Sequence, residues 1–215
     1  MKIFIDTASV AELNQAVALG VADGVTTNPT LLARESGSAE QIYRDLCSAI
    51  DGPVCAEAVS ADAKSIIQEG KKLAQISNQI VVKIPVSKEG LLAVKQLESE
   101  GIRTNVTLVF SPMQALMAAK AGASFVCPFV GRLDDTSQPG MELIEQILAI
   151  YNNYDYETEV IVASIRNPLH VRDAALMGAH AATLPLKVVE QLMRHPLTDI
   201  GIEKFLQDWG KVAGR

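Results

Sequence analysis

The run Ile80-Val81-Val82-Lys83-Ile84-Pro85-Val86 carries a lysine midway along an otherwise apolar strand pattern. Outward from it, short β-branched runs alternate with helical patterns along the whole chain. Strands are predicted at about 2–6, 23–27, 53–58, 80–86, 103–109, 124–130, 159–164 and 181–185. Between them apolar residues recur at helical spacing, as in Ile66, Gly70, Leu73 and Ala74, or Met141, Ile144, Ile147, Leu148 and Tyr151. Strict alternation of this kind calls for a parallel sheet covered by helices. Eight such units in 215 residues sit at the low end of the range for a (β/α)8 TIM barrel, class α/β. The rival is a doubly wound open sheet, which would carry a glycine-rich fingerprint after its first strand. Asp6-Thr7-Ala8-Ser9 is not one.

Helix starts support the barrel. Asn28-Pro29, Ser111-Pro112 and Asn167-Pro168 each pair a capping side chain with a proline pre-set for the first helical turn, shortly after a strand. In a barrel such junctions gather on the C-terminal face, where active sites are built. With no linker or low-complexity segment, residues 1–215 read as one domain. Asp134–Gly140, rich in turn formers, reads as its most mobile stretch. Beyond the eighth unit, Thr198 is a candidate cap for an extra helix over 198–215, with Ile202, Phe205, Leu206, Trp209 and Ala213 on one face.

Composition narrows the function. A net charge of −6 without any basic block argues against nucleic acid, so an anionic ligand must be held by a local positive cluster. No stretch has the length of a membrane span, and the first residues enter a strand without a signal-peptide pattern. Cys47, Cys55 and Cys127 form an odd, scattered set that fits a reducing, cytoplasmic setting. His170, His180 and His195 share no ligand spacing, so no metal site is expected.

The strand ends are unusually polar. Desolvation of Lys83 in an interior strand is expected to lower its pKa, leaving the free amine that attacks a carbonyl to form a Schiff base. Asp6 and Glu57 are candidate proton-transfer groups. Asn105 and Thr107, two apart in one strand, face the same side of the sheet. Arg132, Ser164 and Arg166 suit a phosphate dianion. Each has a plainer reading. Lys83 could snorkel to water, Asp6 could cap the helix near Ser9, Glu57 could be a solvated charge, and Arg132 could pair with Asp134 or Asp135. Thr26 and Thr27 could be simple β-formers. Taken together, however, these polar ends fit one ligand with a carbonyl and a phosphate.

The segments Phe4-Ile5-Asp6-Thr7-Ala8, Gly24-Val25-Thr26-Thr27-Asn28-Pro29, Val82-Lys83-Ile84-Pro85, Thr104-Asn105-Val106-Thr107, Pro128-Phe129-Val130-Gly131-Arg132 and Ala163-Ser164-Ile165-Arg166-Asn167-Pro168 resemble the signature stretches of the transaldolases. The resemblance is to the small bacterial and archaeal subfamily that includes fructose-6-phosphate aldolase, and it runs from residue 3 to Trp209. It implies a (β/α)8 barrel and Schiff-base chemistry without metal or organic cofactor. By the same resemblance, Lys83 forms the imine, Asp6 is the acid/base at the C4 hydroxyl, and Glu57 and Thr107 hold a catalytic water. Asn28 and Asn105 would contact the dihydroxyacetone portion, Arg132, Ser164 and Arg166 the phosphate, and Thr26 would line the pocket.

Within that family, the transferases resemble this chain in Glu57 and Phe129, where aldolases carry Gln and Tyr. A tyrosine hydroxyl near the imine could help to protonate and release the enamine, whereas phenylalanine cannot. The expectation is therefore transfer of dihydroxyacetone between sugar phosphates in the pentose phosphate pathway. Outright fructose 6-phosphate cleavage is the alternative, and a non-catalytic sugar-phosphate-binding barrel the remote one. Cys127 stands where larger members tend to carry serine, and is expected to be a packing residue. The resemblance also implies a homo-pentamer or decamer, with the terminal helix reaching a neighbouring subunit.

Overall fold

Eight parallel strands close on themselves in the computed structural model, which describes residues 1–213. They are β1 Lys2–Asp6, β2 Gly24–Thr26, β3 Val54–Glu57, β4 Ile80–Pro85, β5 Thr104–Val109, β6 Phe125–Pro128, β7 Glu159–Val162 and β8 Ala181–Leu184. Each lies within two residues of its predicted bounds, and β1 pairs with β8 to complete the barrel. The (β/α)8 reading with an extra C-terminal helix is borne out; the open sheet is not.

The covering helices are α1 Val10–Ala18, α2 Pro29–Leu32, α3 Ala39–Ala49, α4 Ala63–Ala74, α5 Lys88–Ser99, α6 Pro112–Lys120, α7 Val130–Asp134, α8 Gly140–Asn153, α9 Pro168–Met177 and α10 Leu186–Leu192, followed by α11 Pro196–Ala213. The three proline junctions behave as predicted. Asn28 Oδ1 accepts from Leu31 N–H at 3.0 Å, Ser111 Oγ from Gln114 N–H at 3.2 Å, and Asn167 Oδ1 from Leu169 N–H at 2.9 Å. The start of α2 at Pro29 was foreseen but not its four-residue length, and the short helix α7 was not foreseen. Both interrupt βα loops on the face where the strands end.

Two apolar layers hold the fold. Outward strand residues such as Ile5, Val25, Val82, Ile84 and Val126 pack under the helices in the larger core. Inward residues Phe4, Cys55, Val81, Phe125, Cys127, Ile161 and Ala181 fill the barrel interior, as layers of side chains fill barrels generally. Alternation along each strand thus carries Asp6, Thr26, Glu57, Lys83, Asn105 and Thr183 inward, above the apolar layer. In β5 this alternation breaks. The register with β6 shifts between Val106 and Val109, and Leu108 takes a φ of 58°, a left-handed conformation costly for a branched residue.

α11 begins two residues before the predicted cap. His195, rather than Thr198, supplies the capping acceptor, its Nδ1 taking Leu197 N–H at 3.2 Å. No other element packs against α11 to any substantial extent among the described residues. The end of the predicted element, 214–215, lies outside them. No helix among the described residues is long and apolar enough to cross a membrane.

Candidate active site

Strand register builds the site. Glu57 sits beside Lys83 and Lys83 beside Asn105 on β3, β4 and β5, while Asp6 sits beside Thr26 on β1 and β2. Lys83 is 3% exposed. Its Nζ lies 3.0 Å from Glu57 Oε2 and donates to the Thr27 carbonyl at 2.9 Å. Lys83 therefore does not snorkel, and Glu57 is no solvated charge.

The protonation state of Lys83 corrects the expectation from sequence. Burial pulls its pKa down, but negative charge at Cys127, Glu57 and Asp6 pushes it up, and the net direction is upward. Burial also pushes the Cys127 thiol up to about 12, so near neutrality it is uncharged and the two carboxylates hold the lysine as its ammonium. The strand pattern showed the desolvation and concealed the partners. Asp6 is itself pushed upward by burial, against the lowering effects of the Thr26 hydrogen bond and Lys83.

Asp6 does not cap α1. Its Oδ1 accepts from Thr26 Oγ1 at 2.8 Å, and Thr26 Oγ1 also lies 2.6 Å from Thr183 Oγ1 on β8. Ser9 is the N-cap residue of α1 and makes no side-chain capping bond, while Thr7 accepts from Ser9 N–H at 3.0 Å in the turn before it and donates to Glu12. Thr26 is thus a polar link, and Thr27 Oγ1 donates to the Cys55 carbonyl at 2.8 Å.

A cavity of about 330 Å³ opens at the strand ends, lined by Asp6, Thr26, Asn28, Lys83, Cys127, Phe129, Arg132, Ser164 and Arg166. Glu57, Asn105 and Thr107 do not line it. Asn105 Oδ1 and Thr107 Oγ1 are buried with no hydrogen-bond partner, while Asn105 Nδ2 lies 3.4 Å from Cys55 Sγ. Unpaired buried oxygens are rare and call for a polar partner such as water.

The cationic end of the cavity belongs to α7 and the β7–α9 loop. Arg132 does not pair with Asp134 or Asp135. Its guanidinium stands 4.8 Å from the centroid of the Phe129 ring, a cation–π arrangement. Arg166 pairs with Asp135 instead, at 2.8 Å, and Asp134 faces His170 at 2.9 Å. Asp134 Oδ1 also accepts from Gly140 N–H at 2.9 Å, closing the segment predicted as mobile. Ser164 adopts a φ of 59°, and its carbonyl accepts from Gly131 N–H at 3.1 Å. A Cβ at Gly131 would come within 2.1 Å of that carbonyl oxygen, so only glycine lets the two segments approach this closely.

Among the polar residues of the cavity, sequence reading missed Thr30, Arg34 and Thr183. Thr183 puts a polar group one residue before the end of β8, a signal like the one that marked Thr26. Arg34 lines the cavity from just beyond α2, on the β2 side and across the barrel from β6. It pairs with no carboxylate among the described residues, and only the short helix α2 brings it there.

A profile of the family described as transaldolase/fructose-6-phosphate aldolase matches residues 3–215. The chain belongs to the transaldolase/fructose-6-phosphate aldolase family. A relative from Desulfosudis oleivorans, named "probable transaldolase", is 60% identical over 211 residues, 98% of this chain and 99% of the relative. One from Aquifex aeolicus with the same name is 58% identical over 212 residues, 99% of this chain and 98% of the relative. Among solved structures, a double mutant of flavocytochrome b2 with pyruvate bound superposes with a TM-score of 0.62 at 15% identity, covering 86% of this chain and 56% of that one. That likeness is one of barrel fold alone. Of the six resemblance stretches named from sequence, five contribute residues to the cavity lining, and 104–107 does not.

Proposed function

We propose that this protein is a transaldolase, carrying a dihydroxyacetone unit from sedoheptulose 7-phosphate to glyceraldehyde 3-phosphate through a Schiff base on Lys83. The observation that carries this reading is the buried Lys83–Glu57 contact of 3.0 Å at the base of a cavity that Lys83 shares with Asp6 and three arginines, Arg34, Arg132 and Arg166.

The chemistry follows from the groups present. Ketose phosphate binds with its phosphate toward Arg132, Ser164 and Arg166, and its C2 carbonyl toward Lys83. Lys83 starts as ammonium, so Glu57, at 3.0 Å, must accept its proton before the amine attacks. Attack gives a carbinolamine, which loses water with that proton returned through Glu57. A water between Glu57, Thr107 and Asn105 would satisfy the two unpaired buried oxygens and relay this transfer. The resulting iminium withdraws electrons from C3. Asp6 takes the C4 hydroxyl proton, the C3–C4 bond breaks, and the aldose phosphate leaves. Its electron pair remains as the enamine on Lys83. An incoming aldehyde accepts the pair, Asp6 returns the proton, and hydrolysis frees Lys83. Asn28 keeps its amide Nδ2 for the dihydroxyacetone hydroxyls while Oδ1 caps α2. The iminium is the electron sink, so the sequence of steps calls for no metal or organic cofactor.

Transfer rather than release is favoured by Phe129, 9% exposed and packed edge-on against Phe110. It offers the enamine no proton. This reading sets the protein in the cytoplasmic pentose phosphate pathway, as a single domain assembled into a homo-pentamer or decamer, without nucleic-acid or membrane partners. Borohydride reduction in the presence of fructose 6-phosphate, followed by mass spectrometry, tests the mechanism. The expected adduct is on Lys83, and an adduct on any other lysine overturns it.

A further inference from the structure

His170 stands in the first turn of α9, outside the cavity, and is nearly buried, with 12% of its side chain exposed. Its ring makes two contacts. Nδ1 accepts from the backbone N–H of Arg166 at 3.3 Å, and Nε2 faces Asp134 Oδ2 at 2.9 Å. A neutral ring with its hydrogen on Nε2 satisfies both, because one nitrogen then accepts while the other donates. Asp134 closes α7, two positions beyond Arg132. Arg166 lies two positions beyond Ser164. One imidazole therefore joins the two backbone segments that carry the cavity's cationic wall.

The start of α7 is already fixed to the same loop by backbone bonds, Val130 N–H to the Ala163 carbonyl at 3.0 Å and Gly131 N–H to the Ser164 carbonyl at 3.1 Å. Those bonds secure the first turn of α7. Its far end is tied by side chains: Asp134 Oδ1 accepts from Gly140 N–H, the exposed Asp135 pairs with Arg166, and Asp134 Oδ2 faces the nearly buried His170. Of these, the His170–Asp134 contact is the one that links α7 to the Arg166 backbone without using a group that must meet the substrate. Its place outside the cavity matters, since bound substrate does not displace it.

We propose that His170 is a positioning residue for anion binding, setting the separation of Arg132 and Arg166 through Asp134 and the Arg166 backbone. The proposal rests on the assignment of the substrate phosphate to this wall. Groups need placing to within about 0.5 Å for such sites to work well, which rotamers on two independent loops do not provide.

The test uses His170→Asn, which can keep an acceptor for Arg166 N–H, His170→Gln, which can reach Asp134, and Asp134→Asn, which weakens the same link from the other side. Inorganic phosphate binding is measured by calorimetry, and turnover with erythrose 4-phosphate as acceptor is compared for fructose 6-phosphate and unphosphorylated fructose. Loss of a charge-assisted contact predicts phosphate affinity and kcat/KM for fructose 6-phosphate lower by on the order of tenfold in His170→Asn and Asp134→Asn, with kcat and fructose turnover nearly unchanged. Phosphate affinity equal to wild type in both variants overturns the proposal, as does an equal loss on both sugars. If the wild type turns over neither sugar but the variants bind phosphate less tightly, the transaldolase reading fails while the positioning role stands. Normal Schiff-base trapping with unaltered phosphate binding in the variants gives the reverse.

Discussion

Lys83 Nζ lies 3.0 Å from Glu57 Oε2, with both side chains nearly buried. This pairing makes Lys83 an ammonium at rest and gives it a route to lose its proton. Taking away one partner of a buried pair is worse than never having had the pair, because the remaining charge is left without compensation.

Glu57→Gln is therefore expected to destabilise the protein at neutral pH by up to about 3 kcal/mol, read as a lower Tm. It should also lower the Lys83 pKa, since burial remains while one carboxylate goes. The sign follows from the upward shift of Lys83 in the folded protein. Stability from the pair is fully present below the unfolded lysine value of about 10.4 and is lost as pH rises through the higher folded value. The variant's deficit should thus be largest near neutrality and shrink in strong alkali. A Tm difference that stays constant from neutral pH through strong alkali, beyond the folded lysine value, would contradict this.

Asp6 is shifted in the same direction for a different reason, since here the fold favours the neutral form. Burial raises its pKa, so ionised Asp6 costs the folded state stability that is intact below the unfolded carboxylate value and is lost as pH rises through the folded one. Asp6→Asn keeps an oxygen for Thr26 Oγ1 and removes that cost. It is expected to melt no lower than wild type at neutral pH, while losing at least about a hundredfold in cleavage, as removal of an acid/base group usually does. Borohydride should still trap intact fructose 6-phosphate on Lys83. Loss of trapping together with cleavage would mean that Asp6 acts before bond breaking.

How far the sequence could be read depended on range. Period-two alternation and capping prolines are local, so the barrel and its βα junctions were legible within two residues per strand. The polar strand ends were legible for the same reason, since register in a closed barrel brings them to one mouth. Partnerships between loops were not. Nothing in the order of residues tells Arg132 to stack on Phe129 and Arg166 to take Asp135. The direction of the Lys83 shift likewise depends on Glu57 and Asp6, 26 and 77 positions away in the chain. The left-handed Leu108 at the register shift of β5 is strained without any glycine to announce it.

The cavity's arginines should differ in effect. Arg132 has no carboxylate to leave, whereas Arg166 must exchange Asp135 for the substrate phosphate. Arg132→Ala is expected to raise KM for fructose 6-phosphate by on the order of ten- to a hundredfold, the value of a charge-assisted bond. Arg166→Ala should raise it less. Arg34→Ala, across the mouth, should raise it only severalfold, with an effect that fades as salt screens it. Turnover of fructose should be spared by all three. Equal losses on both sugars with Arg132→Ala would make that residue structural.

Phe129→Tyr tests why the enamine survives. The ring lines the cavity beside Lys83 and Cys127, so a hydroxyl added there reaches the region of the bound intermediate. The ratio of free dihydroxyacetone release to transfer, measured with fructose 6-phosphate with and without erythrose 4-phosphate, is expected to rise. An unchanged ratio would remove Phe129 from the account of transferase specificity.

Assembly is the remaining expectation, and α11 is where it can be tested. Ile202, Phe205, Leu206 and Trp209 all point to solvent in the isolated chain, with Phe205 73% and Trp209 68% exposed. Single proteins rarely leave several large apolar side chains uncovered together. The barrel's outer layer is complete without α11, and among the described residues no element packs on it substantially. A second copy is the partner the subfamily resemblance suggests, and burial of two aromatic rings on it would contribute a few kcal/mol, on the order of 25 cal/mol per Å². The intact chain is expected to scatter light as a pentamer or decamer, and a chain truncated after Arg194 as smaller species with its far-ultraviolet circular dichroism largely retained. Phe205→Ser with Trp209→Ser should have the same effect without shortening the chain. A monomer from the intact chain at micromolar concentration would show that α11 folds back on its own barrel, and the ring would have to be abandoned.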